Sequence, residues 1–420
     1  MSKILFLLGT LTLVFNPIRP ILGFSISDLL YLCALVFLVL EALYDKEPLD
    51  RLMPWHSFWI PSLMILIGGL ASTFISENIE ISISETLKAW FMFSLWISLC
   101  ISMVRDKNLI KYILIVFIAG VAFSSLIAVF DYLTGSEIGV ALGGLPTTKD
   151  NRYSGTLIHP NFLGHFTGIA IPILVDINLT AFRLTSNGLY KILIAINSSF
   201  IFIILVWADI LSGSNMGLFG LLIGLLLVLV VHSWKGDIVA RFLIIFSGIF
   251  LLLIFINLIS IAASDTNVFA LISKNFDRGS EQTGAVRYQL AFEAFDLISE
   301  SPILGYGMDQ GGTGSQVNLL SNNVSGVHNS LLRAWIGGGI LVFFSVTILY
   351  FKSMTLSIGA IMRNLKGQNI AYSVGLAAAA IGSVSNDMVN PSFLQRFSWF
   401  PIIILMGLLI QKPALEQKVN

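Results

Sequence analysis

The sequence predicts an all-α polytopic membrane protein of about twelve transmembrane helices, with a large extracytoplasmic loop that contains an amphipathic helix. Three observations carry that prediction. Of the 420 residues, 56% are hydrophobic and only 11% are charged, with a mean hydropathy of +0.86. That composition lies outside the range of soluble globular domains. Apolar runs of spanning length recur along the chain. One long segment, Gly284–Gly339, breaks the pattern: it is polar and glycine-rich, and it carries an arginine and a histidine.

Taken in order, the apolar runs place spans at 4–15, 27–43, 57–75, 82–103, 109–131, 162–180, 191–211, 216–231, 242–263, 330–351, 371–387 and 398–410. Asn16-Pro17 follows the first run where a signal peptide would carry small residues, so the run reads as an uncleaved helix. No repeat at solenoid period is visible. The chain reads as one integral-membrane domain, 1–420, with outer loops at 132–161 and 264–329. With the N-terminus in the cytoplasm, the inner side collects Lys3, Lys46, Arg51, Arg105, Lys107, Lys111, Arg183, Lys191, Lys235, Arg241, Lys352, Arg363, Lys366, Lys412 and Lys418. The positive-inside rule therefore puts both termini in the cytoplasm and both long loops outside.

Composition also excludes classes. The net charge is zero and no basic stripe appears, so nucleic-acid binding has no electrostatic basis. Cys33 and Cys100 both lie in apolar runs, which suits buried structural thiols rather than a disulfide framework or a metal site. There is no Walker loop, no Gly-x-Ser-x-Gly elbow, no His-Glu-x-x-His and no clear Asp-x-Asp. No cofactor is implied.

The polar residues near helix ends gather on the predicted outer side: Asp131, Asp209 before Ser212-Gly-Ser-Asn215, Arg333, Asp387 with Asn390, and Arg396. Lys88 sits within the fourth span, about two turns from its outer end. Ionisable groups at membrane depth tend to face a bundle interior or a wet cavity. The plainer reading of Lys88 and Arg396 is snorkelling to the headgroups, and for Asp131 and Asp387 it is a structural role.

The outer loops hold the remaining candidates. Arg152-Tyr-Ser-Gly-Thr leads through His159-Pro160-Asn161 into a helix that Asn161 can cap and Pro160 stiffens; His159 reads as a loop hydrogen-bonder. Val286, Leu290, Ala294, Leu297 and Ile298 recur at helical spacing, which fits a helix lying along the membrane surface and ended by Pro302. Arg287 lies on its first turn, off the apolar stripe. His328 precedes Asn329-Ser330 at a helix start, and histidine is the side chain best suited to take a proton near neutral pH. A capping histidine is the bland alternative.

In this order the motifs resemble the O-antigen ligase and Wzy-type polymerase superfamily. They are Arg152-Tyr-Ser-Gly-Thr with His159-Pro-Asn161, Ser212-Gly-Ser-Asn-Met-Gly, Arg287 before Ser301-Pro-Ile-Leu-Gly-Tyr-Gly, His328-Asn-Ser-Leu-Leu-Arg333, and Gly337–Gly339. The resemblance implies a metal-independent, inverting membrane glycosyltransferase. Its donor would be an undecaprenyl-diphosphate-linked glycan, and its acceptor a second glycan or lipid A-core. It would work at the outer face of a bacterial cytoplasmic membrane, in the lipid bilayer, with a chain-length regulator left open as a further partner. On that resemblance His328 is the base and Arg287 the first cation for the diphosphate, with Arg152, Lys88 and Arg333 as helpers. Relatives commonly carry an arginine after Ser-Gly-Ser, where this chain has Asn215. Polymerase is slightly favoured over ligase, because nothing points to a lipid A-core acceptor. A different class also fits twelve helices, a flippase or other secondary transporter. Against it, charge is scarce near the bilayer midplane, where carriers bind their substrates.

Overall fold

The computed structural model describes residues 1–15, 25–46, 57–144, 146, 152–233, 282–308, 327, 329–368, 370–390 and 392–410. Every regular element among them is helical. In chain order these are α1 (Ser2–Leu11, continued by a 3-10 turn Thr12–Phe15), α2 (Ile26–Asp45), α3 (Trp59–Thr73) and α4 (Ile79–Val104). Next come α5 (Lys107–Thr134), the short α6 (Ile138–Ala141), α7 (Pro160–Leu184), α8 (Gly188–Ser212) and α9 (Asn215–Ser233). The rest are α10 (Gln282–Glu300), α11 (Ser330–Leu365), α12 (Ser373–Asp387) and α13 (Arg396–Ile410). Among the described residues seven helices are long and apolar enough to cross a membrane: α2, α4, α5, α7, α8, α9 and α11. Three apolar segments are shorter, Ser2–Phe15, Trp59–Thr73 and Arg396–Ile410. The expected span at 242–263 lies outside the described residues.

Local chemistry explains several helix ends. At the start of α2, Ser25 and Asp28 form a reciprocal cap: the Ser25 N–H donates to Asp28 Oδ2 (2.8 Å) and the Asp28 N–H donates to Ser25 Oγ (3.2 Å). Asp106 caps α5 by accepting the Asn108 N–H (3.0 Å) and also takes a hydrogen bond from Lys3 Nζ (2.7 Å). The far end of α5 closes on Gly135 at φ 68°. Just before that end, Asp131 accepts from Ser136 Oγ (2.7 Å), Ile138 N (3.0 Å) and Gly139 N (2.8 Å). It thereby nucleates α6, a structural role.

The chain divides into two compact units. The first comprises 1–37, 106–278 and 356–383. Its centre is α7, flanked by α9, α8 and α5. The two N-terminal turns of α7 and α9 approach closely: a Cβ on Gly217 would lie 2.7 Å from the Gly164 backbone, so only glycine permits this crossing. At the other end of α7, buried Asp176 bonds His232 Nε2 of α9 (2.7 Å) and accepts the Gly375 N–H of α12 (2.7 Å). Three helices are thus tied through one carboxylate.

The second unit comprises 38–105, 279–355 and 384–420. Its core centres on Trp399, fully buried, with Phe93 edge-on at 4.9 Å and Tyr350 stacked at 5.3 Å. A π-helical turn at Met92–Trp96 interrupts α4 and puts Phe93 into this core. The span expected as one helix from 330 is broken at Gly338 and Gly339, the latter at φ 65° and ψ −163°. The 301–308 turn pairs with this break through three backbone bonds: Tyr306 N–H to Ile336 O (2.7 Å), Gly307 N–H to Gly337 O (3.0 Å) and Ile340 N–H to Ile303 O (3.2 Å).

That pairing corrects the expectation for the apolar stripe of α10. Leu290, Ala294, Leu297 and Ile298 are buried, and the last three form one cluster with Val327 and Ile336. The stripe packs on protein rather than on a membrane surface. Arg287 lies in the second turn of α10, because the helix starts at Gln282.

Candidate functional site

In the first unit the segment 152–161 runs against the α8–α9 corner. The Tyr153 N–H bonds Leu211 O (3.1 Å), which lays Arg152 alongside the end of α8. Arg152 Nε donates to Ser212 O (2.7 Å), and a terminal nitrogen donates to Asn161 Oδ1. These two contacts fix the guanidinium between the end of α8 and the start of α7. Asn161 was expected to cap α7, but the cap is His159, whose Nδ1 accepts the Asn161 N–H (3.0 Å). That frees the Asn161 carboxamide to hold Arg152. At the neighbouring corner, Ser212 Oγ accepts the Ser214 N–H (3.1 Å) and Ser214 Oγ accepts the Gly217 N–H (3.1 Å), which caps α9. Asn215 is the first residue of α9 and is half-buried.

The corner carries both electrostatic senses: the C-terminal carbonyls of α8, met by Arg152 at Ser212, are partially negative, and the starts of α7 and α9 beside them are partially positive. Two helix N-termini meet at Gly164 and Gly217, and the partial positive charge of each adds to that of Arg152. That positive side favours an anion with several acceptor oxygens. One turn further along α7 the lining is buried and polar. Thr167 Oγ1 lies 2.8 Å from Asp209 Oδ1, and His165 Nε2 lies 2.9 Å from Ser383 Oγ. His165 escaped the sequence reading. The signal was available: an ionisable residue inside the apolar run 162–180 is a site candidate by its depth alone.

In the second unit, Asn329 caps α11 by accepting the Leu331 N–H (2.9 Å) and Leu332 N–H (3.1 Å), and its Nδ2 donates to Met388 O (3.1 Å). Next to Met388, buried Asp387 accepts from the Tyr350 hydroxyl (3.0 Å) and from Ser392 Oγ. Asp387 therefore anchors the turn on which Asn329 leans. His328 lies outside the described residues, and so does the side chain of Arg287; its helix packs by Ala294, Leu297 and Ile298 on Val327. Arg333 is half-buried in the first turn of α11, and its N–H bonds Asn329 O (3.0 Å).

Lys88 of α4 is paired with Glu85 one turn earlier (3.0 Å), so its charge is largely answered on its own helix. Arg396 lies over the Phe91 ring at 5.8 Å. The α4 start also meets the 301–308 turn, where the Met308 N–H donates to Ser82 Oγ (3.0 Å). Tyr306 of that turn donates to Glu300 Oε2 (3.0 Å). Burial and then the Glu300 carboxylate push the Tyr306 pKa up, which keeps the hydroxyl a donor.

No curated protein matches the chain. A family model does, over the stretch that runs from within α8 through α9 and α10 into α11, past its break. Residues 200–347 match the model described as O-antigen ligase.

Proposed function

We propose that the chain is a membrane glycosyltransferase that joins lipid-diphosphate-linked glycans at the outer face of the bacterial cytoplasmic membrane, in surface-polysaccharide biosynthesis. Polymerisation of repeat units is preferred to ligation onto lipid A-core, since no residue pattern points to that acceptor. The observation that carries the reading is the corner where the Arg152 guanidinium lies beside the starts of α7 and α9, within a chain whose residues 200–347 match the O-antigen ligase model. A substrate activated outside the cell must bring its leaving group with it, and a lipid diphosphate is such a group.

The chemistry is a single displacement. The acceptor hydroxyl oxygen attacks the anomeric carbon, and His328 takes the hydroxyl proton. The bond from that carbon to the phosphate oxygen breaks, and the lipid diphosphate leaves with the electron pair, so configuration inverts. Arg287 and Arg152 meet the growing charge as bidentate donors. Arg333 is a further helper, and Lys88 is the weakest because of Glu85. His159 and Asn161 act through Arg152: one fixes the start of α7, the other holds the guanidinium.

The test is a gel of surface and lipid-linked glycans from a deletion strain complemented with wild type or His328→Ala. A single repeat in place of a ladder identifies a polymerase, and unattached long chains identify a ligase. Precursors trapped on the inner leaflet would replace the transferase reading with a flippase. Full restoration by His328→Ala at normal expression would remove the base assignment and leave Arg287→Ala as the next variant.

A further inference from the structure

We infer that the hydrocarbon chain of the lipid-linked donor lies in a groove between α5 and α8 of the first unit, with its phosphate end toward Arg152. This rests on the donor class proposed above and adds where its hydrocarbon is held. The groove encloses about 680 Å³ and is open along one side. That volume is typical of small-ligand sites, roughly 300–1,000 Å³. Its floor is Val129, Ile204 and Trp207, all buried, and its rim is Leu126, Ile196 and Phe200, all exposed. Ser199 is the one polar residue in the lining. From 195 to 207 the lining follows one face of α8, about 18 Å along the axis.

One end of the groove differs from a plain lipid-facing surface. Trp207 closes it, and the Trp207 indole N–H is buried with no acceptor among the described residues. Tyr132 stands edge-on to Trp207 (6.3 Å) and to Tyr153 (5.7 Å), and Tyr153 adjoins Arg152. The sequence of environments is therefore hydrocarbon, then a run of edge-to-face aromatics of the kind found at headgroup level, then the Arg152 guanidinium. That order matches an amphiphile with a hydrocarbon tail and an anionic head. An arriving phosphate or glycan oxygen would also give the Trp207 N–H the acceptor it needs. The volume takes only the head-proximal part of a long polyprenyl chain, and the open side lets the remainder run into the bilayer.

The experiment places the photo-crosslinker p-benzoylphenylalanine at Phe200, on the exposed rim, of the full chain in lipid nanodiscs, with tritiated undecaprenyl diphosphate as the probe. The expected result is labelling that unlabelled undecaprenyl diphosphate removes and an equal excess of phosphatidylglycerol does not. Arg152→Ala should weaken that competition about tenfold. Equal competition by phosphatidylglycerol would reduce the groove to ordinary lipid-facing surface. Capture of a peptide from 234–281 would mean the chain covers the groove itself, and either result overturns the inference. Ser199→Trp gives a second readout: filling the groove should raise the donor KM by a larger factor than it lowers kcat. A normal KM for Ser199→Trp during active glycan transfer removes the groove alone. Specific labelling without any transfer keeps the groove as a polyprenyl site and removes the transferase reading.

Discussion

Replacing Gly339 by alanine should unfold the corner that joins the 301–308 turn to α11. Gly339 sits at φ 65° and ψ −163°, a region essentially restricted to glycine and costing another residue about 1–3 kcal/mol. Space adds to this. A Cβ there would lie 1.9 Å from Ile303 O, 2.5 Å from Ile303 C and 2.7 Å from Leu304 C. These are backbone atoms, which cannot rotate aside as a side chain would, so overpacking adds about 1–3 kcal/mol. If the turn retreats to relieve the clash, the three backbone bonds at Ile303, Ile336 and Gly337 are lost instead, at about 1 kcal/mol each. The clash route reaches about 2–6 kcal/mol and the retreat route about 4–6 kcal/mol, a large share of a typical stability of about 5–15 kcal/mol. The control is Gly359→Ala in the same helix, where nothing lies within 4 Å of the added Cβ and helix propensity predicts a gain of about 0.5–1 kcal/mol. Thermal unfolding in detergent and the glycan ladder are measured on both variants. Gly359→Ala should match or exceed wild type, while Gly339→Ala melts far lower and makes no ladder. Equal melting of the two variants would refute the reasoning and with it the pairing of turn and break.

The other predictions concern charge and one core ring. Arg152→Lys replaces a fork that reaches Ser212 O and Asn161 Oδ1 together by a single ammonium, so donor KM should rise about tenfold; Asn161→Ala, which leaves the guanidinium in place, should cost less in the same kinetic assay. Asn215→Arg should keep or raise turnover, and abolished activity at intact expression would count against Arg152 as the local cation. The hydrogen bond from Lys3 holds the Asp106 carboxyl below its ordinary pKa, so the pair contributes stability above the usual carboxylate range. That contribution is lost as pH falls through the lowered value of Asp106. It is exposed and screened, so Lys3→Met should cost under about 1 kcal/mol at neutral pH, with no difference from wild type in acid melts. Trp399→Ala should cost about 3–5 kcal/mol in the same melts, because its fully buried ring carries the packing of Phe93 and Tyr350.

Hydrophobic runs located the long helices well, because burial in lipid requires an unbroken apolar stretch whatever its partners. The expected spans 109–131, 162–180, 191–211 and 216–231 each fall within α5, α7, α8 and α9. Hydropathy is blind to backbone angles, however. The run from 330 reads as one helix because Gly338 and Gly339 are apolar enough to continue it, and only their φ and ψ values reveal the break. The stripe on α10 was legible as an apolar face, but periodicity does not say whether lipid or protein covers that face; Val327 and Ile336 do. Cap chemistry misled in a smaller way. His159 and Asn161 both can cap a helix, and the choice between them was made by Arg152, which takes the Asn161 carboxamide for itself.

The same contact bears on the missing arginine at 215. Arg152 Nε donates to the carbonyl of Ser212, three residues before Asn215, so the corner already holds one guanidinium drawn from another segment. A second arginine at the head of α9 would bring two like charges toward the same helix N-termini, an arrangement that is favourable only when an anion lies between them. Asn215→Arg therefore distinguishes two states of the corner. Without a bound anion the variant should melt below wild type, and with undecaprenyl diphosphate present the difference should shrink or reverse, since ligand binding adds stability in proportion to occupancy. A variant whose melting is insensitive to the lipid diphosphate would show that this corner does not receive it, and the positive charge gathered at α7 and α9 would then need a different explanation.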